Sequence, residues 1–230
     1  EITLRFDRKG KEFDLTLAPV RSGALKTLLY DGWIDENRKI VDSLSGGRVG
    51  YVYMKDMGTP SLEKFLIDMT GIALGKEALI LDIRNNRGGN VHDDVIQFLS
   101  QKPYLEWQAR NGKRSPQPNF APSGGPIILM VNEQSLSDAE MTAAAFRQLK
   151  LGTIVGTETY RWIIFTSGRM LVDGSSTRLP AWGCYDLEGN DLEKTGVKPD
   201  IYVRTTFGDM QNGADPQLVT ADKEALSKLD

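Results

Sequence analysis

The first 19 residues alternate between hydrophobic and polar side chains on both sides of a turn that contains Gly10. The alternating hydrophobic residues are Ile2, Leu4 and Phe6 before the turn and Phe13, Leu15 and Leu17 after it. Period-two alternation around a glycine-containing turn predicts a β-hairpin, because successive side chains of a strand point to opposite faces. Pro19 ends the hairpin, since proline cannot donate to a sheet ladder.

Short apolar runs and helical patterns alternate along the chain that follows. The apolar runs, which are typical of buried strands, are residues 49–54, 78–83, 126–131 and 153–155. Helical spacing of apolar residues is found over 33–44, 61–74 and 137–149, and again after Gly88-Gly89. Ser61, which follows Pro60, is the expected N-cap of the second of these helices. The alternation over residues 48–156 predicts an α/β layered domain with a mainly parallel sheet.

The remaining segments are less regular. Residues 108–125 are polar and rich in Pro and Gly, so a surface loop is expected there. Short strands and turns are expected up to Val203. Asp215 and Pro216 predict a final helix, with Asp215 as its N-cap and Pro216 at its first position.

The composition narrows the classes of function. Hydrophobic residues make up 40% of the 230 residues and charged residues 26%, which is typical of a globular protein. The net charge is −3 and the basic residues are scattered, so no nucleic-acid partner is expected. No apolar run approaches the ~20 residues that cross a bilayer, so no membrane segment is expected in this chain.

Cysteine and histidine each occur once, as Cys184 and His92. A single residue of each type excludes an internal disulfide and a multi-histidine metal site, and we expect no cofactor. The chain begins at Glu1 without a leader, so we expect it to be a piece of a longer protein. Its compartment is left open between the cytoplasm and a bacterial periplasm.

Two junctions between a predicted strand and a predicted helix contain chemically useful groups. At the first, Gly88 and Gly89 leave backbone N–H groups exposed near a helix N-terminus, which can stabilise an oxyanion. At the second, Ser137 opens a helix, where its hydroxyl can face a cleft. Each has a structural alternative: the glycines form a tight turn, and Ser137 is an N-cap in a capping box with Glu140. Because sites in open α/β sheets form beyond the carboxyl ends of strands, the two junctions together favour acyl transfer.

An ordered set of motifs identifies a family. The motifs are GRVGYV (47–52), DIRNNRGGNV (82–91), NEQSLSD (132–138), GTETY (156–160), LVDG (171–174), GVKPDI (196–201) and DPQL (215–218). With these motifs the chain resembles the peptidase core of tail-specific (C-terminal processing) proteases and tricorn proteases, and it is more similar to the tricorn branch. Their order matches the family from about residue 47 to residue 226.

The resemblance implies a domain division and a fold. Residues 1–19 correspond to the last strands of a PDZ domain, residues 20–47 to a linker and helix, and residues 48–230 to the serine peptidase core. The implied fold is the layered α/β sheet with helices of crotonases and Clp peptidases. A hairpin that belongs to the core itself is the alternative for residues 1–19. The resemblance leaves a homo-oligomer open.

The resemblance also implies roles for individual residues. Ser137 matches the nucleophile, and the backbone amide of Asp138 matches one oxyanion donor. The second donor is Gly88 or Gly89, between which the sequence does not choose. Glu193 matches the carboxylate that orients the catalytic base in the tricorn branch.

The chain departs from the family pattern at the base. Trp162 occupies the position of the lysine in the tail-specific branch, and tryptophan cannot accept a proton. In the tricorn branch the base is a histidine upstream of the PDZ domain, and this chain begins after that point. His92 is expected to be a surface histidine rather than the base, because it falls off the apolar face of its helix. We expect Trp162 to form part of the cleft wall near Ser137, with a place in the core or a displacement of the whole turn as the alternatives.

The sequence leads to three hypotheses about function. The leading prediction is a serine peptidase whose substrate partners are peptides or unfolded polypeptides, with the base supplied by an upstream segment and the isolated chain nearly inactive. The second is a catalytically inactive relative that binds peptides, which the tryptophan at position 162 favours. The third is an acyl-CoA enzyme on the same fold, which the absence of paired carboxylates at the two junctions disfavours.

Overall fold

The computed structural model describes residues 1–117 and 125–229. The chain divides into two compact units, one ending at Asn37 and the other beginning at Arg38. No helix within the described ranges is long and apolar enough to cross a membrane.

The first unit contains the predicted hairpin. Strands β1 (Ile2–Arg8) and β2 (Lys11–Leu17) pair antiparallel, with Arg8 opposite Lys11. The two turn residues, Lys9 and Gly10, have φ of 56° and 77°, and two positive φ angles match the right-handed twist of a two-residue hairpin. Helix α1 (Ser22–Ser45) begins in this unit and is longer than the helix predicted over 33–44. The hairpin is confirmed, whereas its assignment to a PDZ domain stays a prediction.

The second unit alternates strands and helices as the sequence predicts. Its elements are β3 (Val49–Tyr53), α2 (Thr59–Thr70), β4 (Ala78–Asp82), α3 (His92–Leu99), β5 (Leu105–Gln108), β6 (Arg114–Gln117), β7 (Ile127–Val131), α4 (Asp138–Gln148), β8 (Thr153–Gly156), β9 (Phe165–Met170), β10 (Ser176–Trp182), α5 (Leu192–Thr195), β11 (Ile201–Tyr202), α6 (Phe207–Gln211) and α7 (Pro216–Ser227).

The apolar runs form one parallel sheet. Among the described strands, β11, β8, β7, β4 and β3 pair in that order, and each pair is parallel. The strands β3, β4 and β7 are buried along their whole length, because helices cover both faces of such a sheet. The α/β architecture is therefore confirmed.

The sheet separates two layers of helices. Leu79 and Leu81 of β4 face a core cluster that includes Phe65 of α2 and Phe146 of α4. Their neighbour Asp82 points to the opposite face, where α7 packs against β3, β4, β7 and β8.

A buried ionic network joins this second face to the end of β4. Arg84, which is 5% exposed, donates to Asp82, to Asp215 and to the side-chain oxygen of Gln217. The hydroxyl of Tyr51 also donates to Asp82, at 2.8 Å. Burial by itself lowers the pKa of the Arg84 guanidinium, but the carboxylates of Asp82 and Asp215 raise it above its usual value. The network fixes the point where the chain leaves β4.

Three local expectations need correction, and one is confirmed. Gly58, not Ser61, is the N-cap of α2, and Ser61 lies inside the helix, where its hydroxyl donates to Asp56 at 2.7 Å. The loop expected over 108–125 contains β6, which pairs with β5, and residues 118–124 lie outside the described residues. Helix α6 was not expected. Asp215 caps α7 as predicted, since its side chain accepts from the Leu218 N–H at 3.0 Å.

Candidate active site

The two predicted junctions meet at the carboxyl end of the sheet. Gly88, in the turn after β4, has φ of 79°, and a Cβ placed on it would lie 2.6 Å from the Ser137 Cβ and 3.0 Å from the Asp138 nitrogen. No side chain fits at that distance, and a positive φ strains any residue other than glycine. Glycine at this position therefore lets the turn touch the first residues of α4.

Asn86 holds the turn in place, and its side chain binds the N–H of Gly88, one of the two candidate oxyanion donors. Its side-chain nitrogen donates to the Met54 carbonyl at 2.9 Å, and its side-chain oxygen accepts from the Gly88 N–H at 2.9 Å. Its own carbonyl accepts from the Leu136 N–H at 3.0 Å, which joins the two junctions directly. The Gly88 amide is therefore already engaged within the protein.

Gly89 is held close to a neighbouring backbone. A Cβ on it would lie 2.0 Å from the Met57 carbonyl oxygen, and that carbonyl accepts from the Asn90 N–H at 2.8 Å. Met57 in turn donates to the Gly88 carbonyl at 2.9 Å. Within residues 1–117 and 125–229, the Gly89 N–H has no acceptor. Of the two glycines, Gly89 thus has the amide that is free to bind an oxyanion.

Ser137 has an unusual backbone conformation. It lies at the N-cap of α4 with φ of 57° and ψ of −120°, outside the extended region that N-cap residues usually adopt. Ser137 and Glu140 stand as in a capping box: Glu140 accepts from the Ser137 N–H at 3.0 Å, while the hydroxyl makes no hydrogen bond of normal geometry to the helix. Sparsely populated φ and ψ values cost of order 1–3 kcal/mol and persist where the surroundings fix them. The capping box that the sequence offered as an alternative is therefore present, and Ser137 occupies it in a strained conformation.

Glu140 is the group that fixes the surroundings of Ser137. Its carboxylate is fully buried, with 0% of the residue exposed. One oxygen accepts from the Thr159 hydroxyl at 2.7 Å and the Arg161 N–H at 2.8 Å, and the other accepts from the Ser137 and Trp162 N–H groups at 3.0 and 2.8 Å. Four donors compensate the desolvation of this buried charge. Glu140 thereby connects the start of α4 to the turn at 159–162.

Asp138 organises the other side of the site. Its Oδ2 accepts from the Val91 and His92 N–H groups at 2.8 and 3.0 Å, and its Oδ1 lies 2.6 Å from His92 Nδ1. Hydrogen bonding to Asp138 raises the pKa of His92, although partial burial opposes the shift. The expectation of a free surface histidine is wrong: the imidazole is mostly covered and paired with Asp138. Within the described residues, the Asp138 N–H has no acceptor.

Ser137 borders a cleft of about 190 Å³. Its described lining consists of Gly89, Asn90, Ser137, Asp138, Met141, Ile163, Ile164, Phe165, Thr166 and Arg178. The nucleophile candidate and the two residues with free amides, Gly89 and Asp138, thus border one space. No group of three or more His, Cys, Asp or Glu residues that could hold a metal ion occurs in the part of the chain that the structure describes.

Trp162 and Glu193 do not line this cleft. Trp162 is 51% exposed, so the alternative of a core residue is wrong, and its ring packs on Tyr160 at 5.9 Å between centroids. Its backbone shares the Glu140 carboxylate with Ser137. Glu193 lies in the first turn of α5 and is half-buried. The segment that follows α5 is joined to the 159–162 turn, because Val197 N–H donates to the Thr159 hydroxyl at 2.9 Å.

Sequence reasoning missed three residues of this region. Glu140 entered only as a capping partner, although its +3 spacing from Ser137 was the visible signal. Asn86 and Arg178 gave no local signal, because their partners lie 32 and 12 residues away along the chain.

Known proteins resemble this chain in sequence and in fold. The profile described as peptidase family S41 matches residues 48–203. Tricorn protease homolog 1 of Streptomyces coelicolor is 33% identical over 96% of this chain, and a putative Tricorn-like protease C-terminal subunit of Sulfurisphaera tokodaii is 33% identical over all of it. The crystal structure of the tricorn protease superposes with a TM-score of 0.87 over 99% of this chain, at 28% identity.

More distant relatives fit the same pattern. The photosystem II D1 C-terminal processing protease superposes with a TM-score of 0.56, covering 68% of this chain and 42% of its own, at 26% identity. The present chain spans 22% of the Streptomyces relative, 27% of the Sulfurisphaera relative and 22% of the tricorn protease chain. It therefore corresponds to about a quarter or less of those proteins.

Proposed function

Because this chain belongs to peptidase family S41, whose matched relatives are named proteases, we propose that it is a serine peptidase core acting on peptides or unfolded polypeptides. The observation that carries the proposal is that Ser137, Gly89 and Asp138 line one cleft and that the N–H groups of Gly89 and Asp138 have no acceptor within the described residues. A strained serine, held by a buried carboxylate beside two free N–H donors, is an arrangement suited to acyl transfer.

The reaction would follow the usual course of an acyl-enzyme. Ser137 Oγ attacks the scissile carbonyl carbon, and its proton passes to a base. The carbonyl oxygen becomes an oxyanion that accepts hydrogen bonds from the Gly89 and Asp138 N–H groups. The C–N bond then breaks, the amine leaves with a proton from the protonated base, and water hydrolyses the ester. We assign the oxyanion to Gly89 rather than Gly88, since the Gly88 amide donates to Asn86.

The base is the part that this chain does not supply. The imidazole of His92 is paired with Asp138 and so is engaged away from Ser137. In our proposal the base comes from a segment upstream of residue 1, and Glu193 orients it from the half-buried start of α5. The hairpin of residues 1–19 would then be the end of a PDZ domain between that segment and the core.

A second candidate function is a relative that binds peptides without cutting them. It is favoured by Trp162, which stands where the tail-specific branch has its lysine and so removes that base. The upstream sequence discriminates between the two: a histidine with a helper serine before the hairpin favours the peptidase.

The decisive experiment is labelling with a fluorophosphonate probe in a protein that includes the upstream segment. We expect covalent labelling and peptide hydrolysis that Ser137→Ala abolishes. Ser167→Ala, on the exposed hairpin beside the cleft, is the matched control and should retain both. A folded protein that is not labelled at Ser137, yet still binds peptides, would establish the second function instead.

A further inference from the structure

The hairpin of β9 and β10 contributes one charged side chain to the cleft. Arg178 of β10 pairs with Gly168 of β9, a position without a side chain. The arginine therefore reaches across the hairpin to the diagonal neighbour Thr166, and its Nε donates to the Thr166 hydroxyl at 2.8 Å. Both residues line the cleft that contains Ser137. The threonine orients the guanidinium through Nε, and within the described residues the two outer NH₂ groups have no hydrogen-bond acceptor.

No carboxylate among the described residues neutralises the positive charge of Arg178. Arg178 forms no ion pair in the described ranges 1–117 and 125–229, in contrast to Arg161, which pairs with Glu158. Asp138 is the one carboxylate among the described residues of the lining. That carboxylate is already bound by His92 and by the Val91 N–H, so it is not available to Arg178.

Arg178 itself is exposed to solvent at the edge of the cleft. Met141, Ile163, Ile164 and Phe165 contribute apolar side chains to the lining, and none of these four side chains competes with a substrate anion for the guanidinium. A guanidinium with two free NH₂ groups binds a carboxylate through two parallel hydrogen bonds.

We propose that Arg178 is a specificity residue of this cleft and binds a carboxylate of the substrate. Within the proposed function, on which this inference rests, the preferred substrates therefore carry either an aspartate or glutamate side chain or a free C-terminal carboxylate near the scissile bond. Both sources offer the same planar, two-oxygen anion, and the test separates them. The hairpin would then select substrates while the two junctions perform the chemistry.

The test measures binding, so it does not depend on the missing base. The Ser137→Ala form of this chain is titrated against fluorescein-labelled peptides of one unstructured sequence, and fluorescence anisotropy gives Kd. One pair of peptides differs by a central glutamate against glutamine. A second pair differs by a free against an amidated C-terminus. We expect one pair to show about three- to tenfold tighter binding of the charged member, as for a partly exposed bidentate pair.

Variants then assign the preference to Arg178. In the same background, Arg178→Gln should abolish the preference, and Arg178→Glu should reverse it toward a central lysine. Arg169→Gln is the matched control. Arg169 lies on the same hairpin, opposite Thr177 and next to Gly168, the residue that pairs with Arg178. Because neighbouring residues of a strand point to opposite faces, Arg169 is on the other face of the hairpin from Arg178. This variant makes the same charge change and should leave the preference intact. Circular dichroism confirms that each variant keeps the fold.

The outcomes separate this inference from the proposed function. A preference for carboxylate that is lost in Arg178→Gln but kept in Arg169→Gln supports the inference, even if Ser137 is never labelled by a fluorophosphonate. Equal Kd values within both peptide pairs overturn it, and so does a preference that survives Arg178→Gln. Failure of every carboxylate peptide to bind also contradicts it. If Ser137 is labelled while any of the contradicting results is found, the proposed peptidase function is supported but the proposed specificity is not.

Discussion

The imidazole Nδ1 of His92 lies 2.6 Å from Oδ1 of Asp138, the residue that follows the proposed nucleophile. The other oxygen of the same carboxylate accepts the first N–H groups of α3, from Val91 and His92. Asp138 thus joins the start of α3 to the start of α4, and Gly89 lies just before α3. This carboxylate and the hydrogen bond from the Leu136 N–H to the Asn86 carbonyl together fix the relative placement of the two proposed oxyanion amides.

The His92–Asp138 pair predicts a dependence of stability on pH. Because the pKa of His92 is raised in the folded protein, the folded state binds more protons than the unfolded state above the ordinary histidine pKa. The stabilisation is therefore fully present below about pH 6.5 and is lost as the pH rises through the folded pKa. His92→Gln should lower the free energy of unfolding by about 1 kcal/mol or more at pH 6, and by less at pH 9.

Urea denaturation at the two pH values measures this difference, and Asp93→Asn serves as the control. Asp93 lies 3.4 Å from the other imidazole nitrogen, but its side chain is 94% exposed, so its charge is screened and the variant should change little. An equal loss for His92→Gln at pH 6 and pH 9 would show that the histidine acts by packing rather than by charge.

Glu140→Gln should damage both stability and the reactivity of Ser137. The amide replaces one acceptor oxygen by an NH₂ group, which faces N–H or O–H donors whichever way it turns. Unsatisfied buried donors cost roughly 1–3 kcal/mol each, so we expect a loss of about 2–4 kcal/mol in the free energy of unfolding. Thermal denaturation measures it.

One further variant separates the positioning of Ser137 from the global stability of the protein. Thr159→Val removes one of the four donors and should cost less, about 1 kcal/mol, with fluorophosphonate labelling of Ser137 slowed only slightly. Glu140→Gln, assayed well below its melting temperature, should slow labelling far more than Thr159→Val does. Equal labelling rates in the two variants would contradict the role of Glu140 in holding Ser137.

Local sequence patterns were sufficient to predict the strands and helices that form the layers, but not the contacts between distant parts of the chain. The apolar runs of β4 and β7 and the capping pair at Asp215 and Pro216 depend on near neighbours, so they were visible in the sequence. The approach of Gly88 to Ser137 joins residues almost 50 positions apart. The position of both junctions at the carboxyl ends of predicted strands indicated it, and the family resemblance then assigned the roles. The engagement of the Gly88 amide by Asn86 needed atomic positions.

The errors have the same physical origin. His92 falls off the apolar stripe of α3, so periodicity places it at the surface, and only the fold reveals Asp138 beneath it. Ser61 has the chemistry of an N-cap, but Asp56 takes its hydroxyl, and the helix begins earlier, at Thr59. In both cases a tertiary partner outweighs the local preference.

Gly88→Ala should be far more harmful than Gly75→Ala, although both glycines have φ of 79°. Gly75 meets no atom within 4 Å of an added Cβ, so its variant should show only the strain of a positive φ, about 1 kcal/mol. A Cβ on Gly88 would lie 2.6 Å from the Ser137 Cβ and force the two junctions apart. We expect an added loss of 1–3 kcal/mol, in the range of overpacking, measured as the difference between the two variants in urea. Similar losses in both variants would mean that the junctions separate at little cost.

Asp222 predicts a stabilising substitution on the other side of the sheet. The residue is 2% exposed in α7, and within the described residues its Oδ1 has no hydrogen-bond partner. Burial raises its pKa to about 6, from an ordinary value of about 3.9. The folded state therefore binds more protons between these values, and stability falls as the pH rises from about 4 to about 6. Above pH 6 the folded protein bears the full cost of a buried, unpaired carboxylate.

Asp222→Asn should remove that cost, because the amide is neutral at every pH and nearly isosteric. A shift of this size corresponds to about 1–3 kcal/mol, so the variant should melt at a higher temperature than wild type at pH 8 and gain little or nothing at pH 4. Glu63→Gln, which neutralises an exposed carboxylate of α2, is the control and should change stability little at either pH. If Asp222→Asn were instead destabilising at pH 8, the carboxylate would have to be paired in the folded protein. A gain of the same size at pH 4 would show that the benefit lies in packing and not in removal of the charge.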